Sequence, residues 1–563
     1  MVKPGLRAFG LSAAIGLIAV LGLASCSPKV DAPATQGGPL AMRRLTEAQY
    51  RQTIADIFGV DIKVAGRFEP DLRKSGLLAV GASDVSVTRA GFEDYDLLAH
   101  SIAAQVVDEK HRQTLVPCVP ASAKAPDAAC ATRFFQKVGR LVLRRPLDAQ
   151  KVMAMVEIAD AETKTSGNFY SGLEFVLAGL LEAPEFLFRV DVAAPDTGHP
   201  DSVRLDGFSK ATRLSFLLWD TTPDDALLAA AENGELDNRD GLTRQVDRML
   251  GSPRLDAGVR AFFSDMLGFD ELQMVEKDRL LYPRFSRTLV ADAEEQTLRT
   301  IADQLIVQHA DYRDLFTTRQ TFMTRTLGLV YRVPVRAERG WEPFEFPKDD
   351  PRAGILTHIS FLALHGPSGR SSPTLRGKAV RELLMCQHVP APPGNVSFAL
   401  VEDTKNAQLK TVRDRLTAHR VNPGCAGCHR IMDPLGLGLE NFDGLGQYRA
   451  DENGTPIDAS GELDGAHFQS AESLGRAMHD NPAVVSCLVN SVYRYAAGRL
   501  PQPGEKEFLA WLQQNFAQGG YQLPDLLRRI ALSDAFYAIS PSIGSKSPRT
   551  ASGASDPQRE SKS

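Results

Sequence analysis

Apolar residues recur at helical spacing along most of this chain. In "LTEAQYRQTIADIFGV" (45–60), Tyr50, Ile54, Ile57 and Phe58 repeat every three or four positions. Thr46 stands three residues before Gln49, a capping-box pattern, and Gly59 supplies a stop. "FFQKVGRLVLRRPLDAQKVMAMVEIA" predicts two helices separated by Pro146. "FSKATRLSFLLWDTTPDDALLAAAENGEL" reads as helix, turn and helix, with Pro223 in the first turn of the second. In "DAEEQTLRTIADQLIVQHA" (292–310), Leu298, Ile301, Leu305 and Ile306 share one face, and acidic residues fill the predicted first turn. Alternating strand patterns are scarce and no internal repeat is visible. The expected fold is mainly α, a multi-module helical body.

Its length exceeds what one core serves, which is about 250 residues, so several modules are expected. The divisions read from composition are 41–92, 93–195, 196–335, 336–402 with a proline-rich end, and 403–540. The last of these is a helical domain around a Cys-x-x-Cys-His motif. Residues 541–563 are low-complexity and expected to be disordered.

The first 25 residues read as a signal peptide. Lys3 and Arg7 precede the apolar run 11–25, which is too short to span a bilayer comfortably. Leu23-Ala24-Ser25-Cys26 resembles a bacterial lipobox, which makes Cys26 the lipidated first residue of the mature chain, followed by a polar tether (26–40). A plain signal peptide with an incidental cysteine is the alternative. The expected location is the periplasmic or cell-surface side of a bacterial membrane, held by a lipid anchor.

A formal charge of −5 argues against a general nucleic-acid binder. The pairs Arg43-Arg44 and Arg144-Arg145 are isolated, and read as solvated helix ends rather than a phosphate-binding stripe. Export favours paired or occupied cysteines. A Cys118–Cys130 bridge would close a short loop, which stabilises by roughly 3 kcal/mol in the chain-entropy account. Cys386 and Cys487 remain as a further possible pair, although sequence does not establish connectivity.

The densest chemistry lies in "CAGCHRIMDPLGLGLENFDGLGQYR" (425–449). A redox dithiol would sit in a βαβ setting, which is missing here, and a structural zinc site would need a second Cys/His pair near by. The preferred reading is attachment of one covalent haem c. Cys425 and Cys428, one helical turn apart, would bond its two vinyl groups, and His429 would be the proximal iron ligand. The competing reading is a Cys425–Cys428 disulfide, or an empty dithiol, with a surface histidine.

For the sixth ligand, Met432 lies too near His429 to reach the opposite haem face. Met478 lies between the motif and the helical "PAVVSCLVNSVYRYAAGRL", the layout of a small His/Met cytochrome; it reads equally as a core methionine. Asp433, Glu440 and Asp443 could fix the haem loop or bind calcium, with turn chemistry and helix caps the preferred reading. "DASGELDG" (458–465) lacks calcium-loop spacing, so no metal is assigned there. His358, His365 and His388 could approach the haem in space, while His467 and His479 are outsiders. No Walker loop, His-Glu-x-x-His or Gly-x-Ser-x-Gly occurs.

The order of these segments resembles a family of large exported bacterial proteins. They are built from several consecutive domains of unknown function and end in a planctomycete-type cytochrome-c-like portion. The resemblance is carried by "RRLTEAQYRQTIADIFGV", "FFQKVGRLVLRRPLDAQ", "TRLSFLLWDTTPDDALLAAAENGEL", "GILTHISFLALHG", "SSPTLRGKAVRELLMC" and the 425–449 stretch, closing with "YRYAAGRL" and "LLRRIALSDAFY". It implies an exported, haem-bearing protein with no established reaction, and gives a role only to Cys425, Cys428 and His429. Met432 stands where the family commonly has isoleucine.

Three functions follow as expectations. The first is electron transfer by a membrane-anchored c-type cytochrome, with a redox protein or extracytoplasmic substrate as partner. The second is a haem oxidoreductase, peroxidase- or oxygenase-like, with an open sixth position. The third is a haem-free binding or structural lipoprotein.

Overall fold

The computed structural model describes residues 32–195, 203–391, 403, 407–421 and 423–540. Signal peptide, Cys26 and the 541–563 tail lie outside the described residues, as does most of the proline-rich end of the fourth division. The described chain is mainly helical, and its strands form short two-stranded antiparallel pairs. No helix among the described residues is long and apolar enough to cross a membrane.

Local signals act as their chemistry requires. The Thr46 hydroxyl accepts from Gln49 N–H, the Gln49 side chain accepts from Thr46 N–H, and helix Glu47–Phe58 begins there. It ends at Gly59, whose φ of +96° suits a residue without Cβ. Tyr50, Ile54 and Phe58 are buried, and Ile57 is half-covered on the flank. Pro146 lies in the gap between helices Ala128–Val142 and Ala149–Ser166.

Two expected helix starts are displaced. Asp224, not Pro223, borders helix Asp225–Glu232, because its carboxylate accepts from Leu227 N–H and so caps the first turn. The helix expected over 292–310 begins instead at Arg287, capped by Ser286, and runs to Ala302 before a π-turn over Asp303–Val307. Its acidic residues therefore stand mid-helix. A serine cap upstream outweighed the charge pattern.

The modules do not each own a core. One apolar cluster joins residues from Leu45 to Phe188 and takes in Phe216. A second runs from Leu205 to Ile539 and takes in Leu77, Ala79 and Val80 from the first module. The modules interlock through these shared interiors.

Arginine carries much of the joining, which corrects the reading of two pairs as solvated. Arg43, Arg44 and Arg144 are all buried. Arg43 reaches Asp191 at 3.3 Å and the Ala496 carbonyl at 3.3 Å, while Arg213 reaches the same Asp191 at 2.6 Å. Burial pushes the Arg43 guanidinium down to about 9, against the pull of Asp191. Arg144 donates to the carbonyls of Phe186 (3.1 Å) and Phe188 (2.7 Å). Arg145 alone fits the surface reading, half-exposed beside Asp206. These guanidiniums escape solvent because distant backbone carbonyls and carboxylates replace their hydration.

The expected tether also differs at its end. Gly37 and Gly38 lie against Ala538–Ser540, and Gly38 forms a parallel bridge with Ile539. A Cβ on Gly37 would stand 2.3 Å from the Ala538 carbonyl carbon, so the close approach requires glycine. Cys118–Cys130 and Cys386–Cys487 are disulfides.

Candidate functional site

The motif sits on a helix that continues through the glycine-containing residues after it as far as Leu437. Helix Val412–His419 is capped by the reciprocal Thr411–Asp414 pair, and after a short turn helix Pro423–Leu437 carries the motif onward through Pro434. A proline within a helix removes one backbone donor. The offsetting interaction is packing against helix Pro373–Ala379, at a distance only glycine permits. A Cβ on Gly436 would lie 1.7 Å from the Pro373 oxygen, and one on Gly377 would lie 1.9 Å from the Met432 oxygen. Met432 is thus buried beside that helix.

Cys425 and Cys428 stand one turn apart on the helix, Cys425 buried and Cys428 half-buried, and both are free thiols. The adjacent His429 turns its Nδ1 to Asp433, 3.0 Å from each carboxylate oxygen. Asp433 has no exposed surface and also accepts from the Thr374 hydroxyl at 2.9 Å. A carboxylate accepts at this contact, so Nδ1 is the donor, and in the neutral ring Nε2 then keeps its lone pair. That is the arrangement by which a carboxylate orients a metal-binding imidazole.

A second ring meets His429. His419, the last residue of the preceding helix, presents its edge with centroids 5.0 Å apart and planes at 72°. Burial, then the neighbouring His429, lowers its pKa from the ordinary imidazole value. The sequence reading missed His419; the available signal was a histidine ending the helix just ahead of the motif.

The acidic residues after the motif are used by the chain itself. Glu440 is buried, accepts from the Ser371 hydroxyl at 2.5 Å and pairs with Arg449. Burial raises its pKa against the pull of Arg449 and Arg376. Asp443 accepts from the N–H groups of Leu445 and Gln447, each at 2.9 Å. The buried Arg376 donates to the carbonyls of Leu362, Leu439, Phe442 and Asp443, fixing this loop to the fourth module. Turn and loop fixation is the role these contacts support. The 458–465 stretch forms part of a hairpin, with Asp464 and Gly465 at its turn.

Met478 is fully buried in the second core, on helix Ala471–Asp480. Leu474, one turn before it, faces Gly438, nine residues beyond His429. His358 is buried against Thr297 Oγ1 at 2.9 Å, and His365 packs on Phe361. His388 and His467 are exposed beside Glu382 and Glu462, and His479 pairs with Asp314 and Asp480.

Five family models, each described as a protein of unknown function, match consecutive segments. They are DUF1587 at 43–108, DUF1595 at 130–191, DUF1592 at 205–333, DUF1588 at 352–452 and DUF1585 at 464–536. The fourth match runs across the division drawn at 402/403 and holds both helix Pro373–Ala379 and the motif helix packed on it. No curated protein and no solved structure matches the chain.

Proposed function

We propose that the chain is an exported, membrane-anchored protein of c-type cytochrome character that transfers electrons through one haem attached at Cys425 and Cys428. The observation that carries this reading is the pairing of His429 Nδ1 with the buried Asp433, beside two free thiols on the same helix. The donor set fits the group: two thiols for the vinyl carbons and one imidazole nitrogen left for iron. Bound haem would supply a one-electron couple.

The chain's own residues define the rest. Asp433 keeps the proton on Nδ1 and makes Nε2 more basic, Thr374 holds Asp433, and the helix from Pro373 makes the support rigid. Cys26 would carry the lipid anchor, and the partner would be a redox protein or extracytoplasmic substrate. Met478 would be a sixth ligand only by leaving a fully buried position, so His429 is the ligand on which the reading rests.

A second reading, a haem oxidoreductase with an open sixth position, is favoured by the same Asp433. A carboxylate behind the proximal imidazole makes it a stronger donor, which stabilises the more oxidised iron.

The test is a visible spectrum, oxidised and dithionite-reduced, of protein from a host with haem-c maturation genes, beside Cys425→Ala. A covalent haem spectrum lost in the variant supports attachment. A far-red methionine–iron band lost in Met478→Ala would assign the sixth ligand and favour electron transfer, and a high-spin spectrum would favour the oxidoreductase. Absence of haem would leave the binding lipoprotein.

A further inference from the structure

Four stretches remote in sequence close round a cavity of about 810 Å³, within the range of sites for small organic molecules. They come from the loop at Arg73–Leu77, the helix bearing Met266, the fourth module and helix Pro482–Ala497. Leu77, Met266, Leu364 and Leu375 give it an apolar lining. Helix Pro373–Ala379 forms one wall through Leu375 and Lys378, while Pro373 and Gly377 contact the motif helix.

Two polar groups in this lining lack the partners their chemistry asks for. His365 Nε2 is buried with no hydrogen-bond partner. Burial, with Arg376 and Lys277 near by, holds that imidazole neutral, pushed down to about 3. A buried ring nitrogen without a partner needs explanation. Arg494 is the second. Its guanidinium donates to the Ser75 carbonyl at 2.9 Å, Ser491 Oγ at 2.9 Å, the Asn490 carbonyl at 3.3 Å and Cys386 Sγ at 3.5 Å, all uncharged. The other cations of the lining are committed: Arg73 to Asp265 and Asp270, and Lys378 to Glu382. Asp265 acts on this guanidinium only through space, and a half-buried cation whose hydrogen bonds all go to neutral acceptors is a place where an anion gains.

We propose that this cavity binds an amphipathic hydroxy-carboxylate. Its carboxylate pairs with Arg494, its apolar body lies along Leu77, Met266, Leu364 and Leu375, and its hydroxyl bonds His365 Nε2. The inference is independent of haem attachment, because no residue of the motif lines the cavity.

The experiment is isothermal titration of the purified full-length chain with ω-hydroxydecanoate, decanoate and decanediol, flexible probes that separate head, body and hydroxyl. One saturable site is expected. Decanoate should bind several-fold more weakly than the hydroxy acid, and decanediol about tenfold more weakly, the scale of one charge-assisted hydrogen bond. Arg494→Gln should weaken both carboxylates about tenfold and leave the diol unchanged, and His365→Phe should remove the advantage of the hydroxyl. Leu375 is 46% exposed, so Leu375→Trp can narrow the cavity without disturbing the core. It should weaken binding of all three probes with an unchanged melting temperature. No saturable binding, a diol as tight as the acids, carboxylate affinity unmoved by Arg494→Gln, or a hydroxyl advantage retained in His365→Phe would overturn the proposal.

Discussion

His429 and Asp433 are one helical turn apart, and the imidazole Nδ1 lies 3.0 Å from both oxygens of a carboxylate with no exposed surface. The contact ties the motif to the fourth module, because Asp433 is in turn held by Thr374. Replacing the charge while keeping the shape isolates its electrostatic part. In haem-loaded protein, Asp433→Asn should raise the reduction potential by about 60 mV, equivalent to a tenfold change in a one-electron equilibrium. Spectroelectrochemical titration reads this, and an unmoved potential would reduce Asp433 to a steric support.

Arg376 is the fastening of the loop that follows the motif. Its fully buried guanidinium serves the carbonyls of Leu362, Leu439, Phe442 and Asp443. Arg376→Met keeps most of the volume and strands those acceptors. The expected loss is about 3–5 kcal/mol in urea unfolding, from unsatisfied buried polar groups.

Two glycines of the motif helix should respond oppositely to alanine. A Cβ on Gly436 meets the Pro373 oxygen at 1.7 Å, so Gly436→Ala should destabilise by about 2–3 kcal/mol through overpacking. Gly427 has nothing within 4 Å, and Gly427→Ala should stabilise by about 0.5–1 kcal/mol through helix propensity. Equal melting temperatures in the two variants would contradict the packing of the two helices.

Glu294 supplies a pH dependence. Burial, then repulsion from Glu295 and Asp270, raises its carboxyl from 4.5 to about 7. The folded state therefore holds this proton at pH values where the unfolded chain has released it. Stability contributed by the protonated acid is present below pH 4.5 and is lost as pH rises towards 7. Glu294→Gln removes that loss. Thermal melts should show the variant unchanged at low pH and more stable above neutrality by about 1–2 kcal/mol, after allowance for solvent screening. A variant less stable than the parent above neutrality would reverse the sign.

The helical class and several helix boundaries were legible because their causes are local. Thr46 with Gln49, Gly59 and Pro146 act within one or two turns, and those boundaries fall where the pattern puts them. Displacements arose where another cap competed, as Ser286 does upstream of the acidic run. The spacing of Cys425, Cys428 and His429 was equally local, and a helix carries all three.

Long-range partners were not legible. Arg43 reads as a surface residue until the chain returns with Asp191 and Ala496, separated from it by 148 and 453 positions. Arg376 gains its role from carbonyls more than sixty residues onward, and the 402/403 division failed to show that helices on either side pack through Gly377 and Gly436. His419 became part of the site only when a turn brought its ring to His429.

By itself, then, the sequence determined the helical class, several helix boundaries, and the grouping of Cys425, Cys428 and His429 within one helical turn. Those properties depend on side chains within a few positions of one another. Tertiary structure decided which arginines are interior, which carboxylate holds His429, and which modules share a core. Each of these depends on desolvation offset by partners that folding alone brings together.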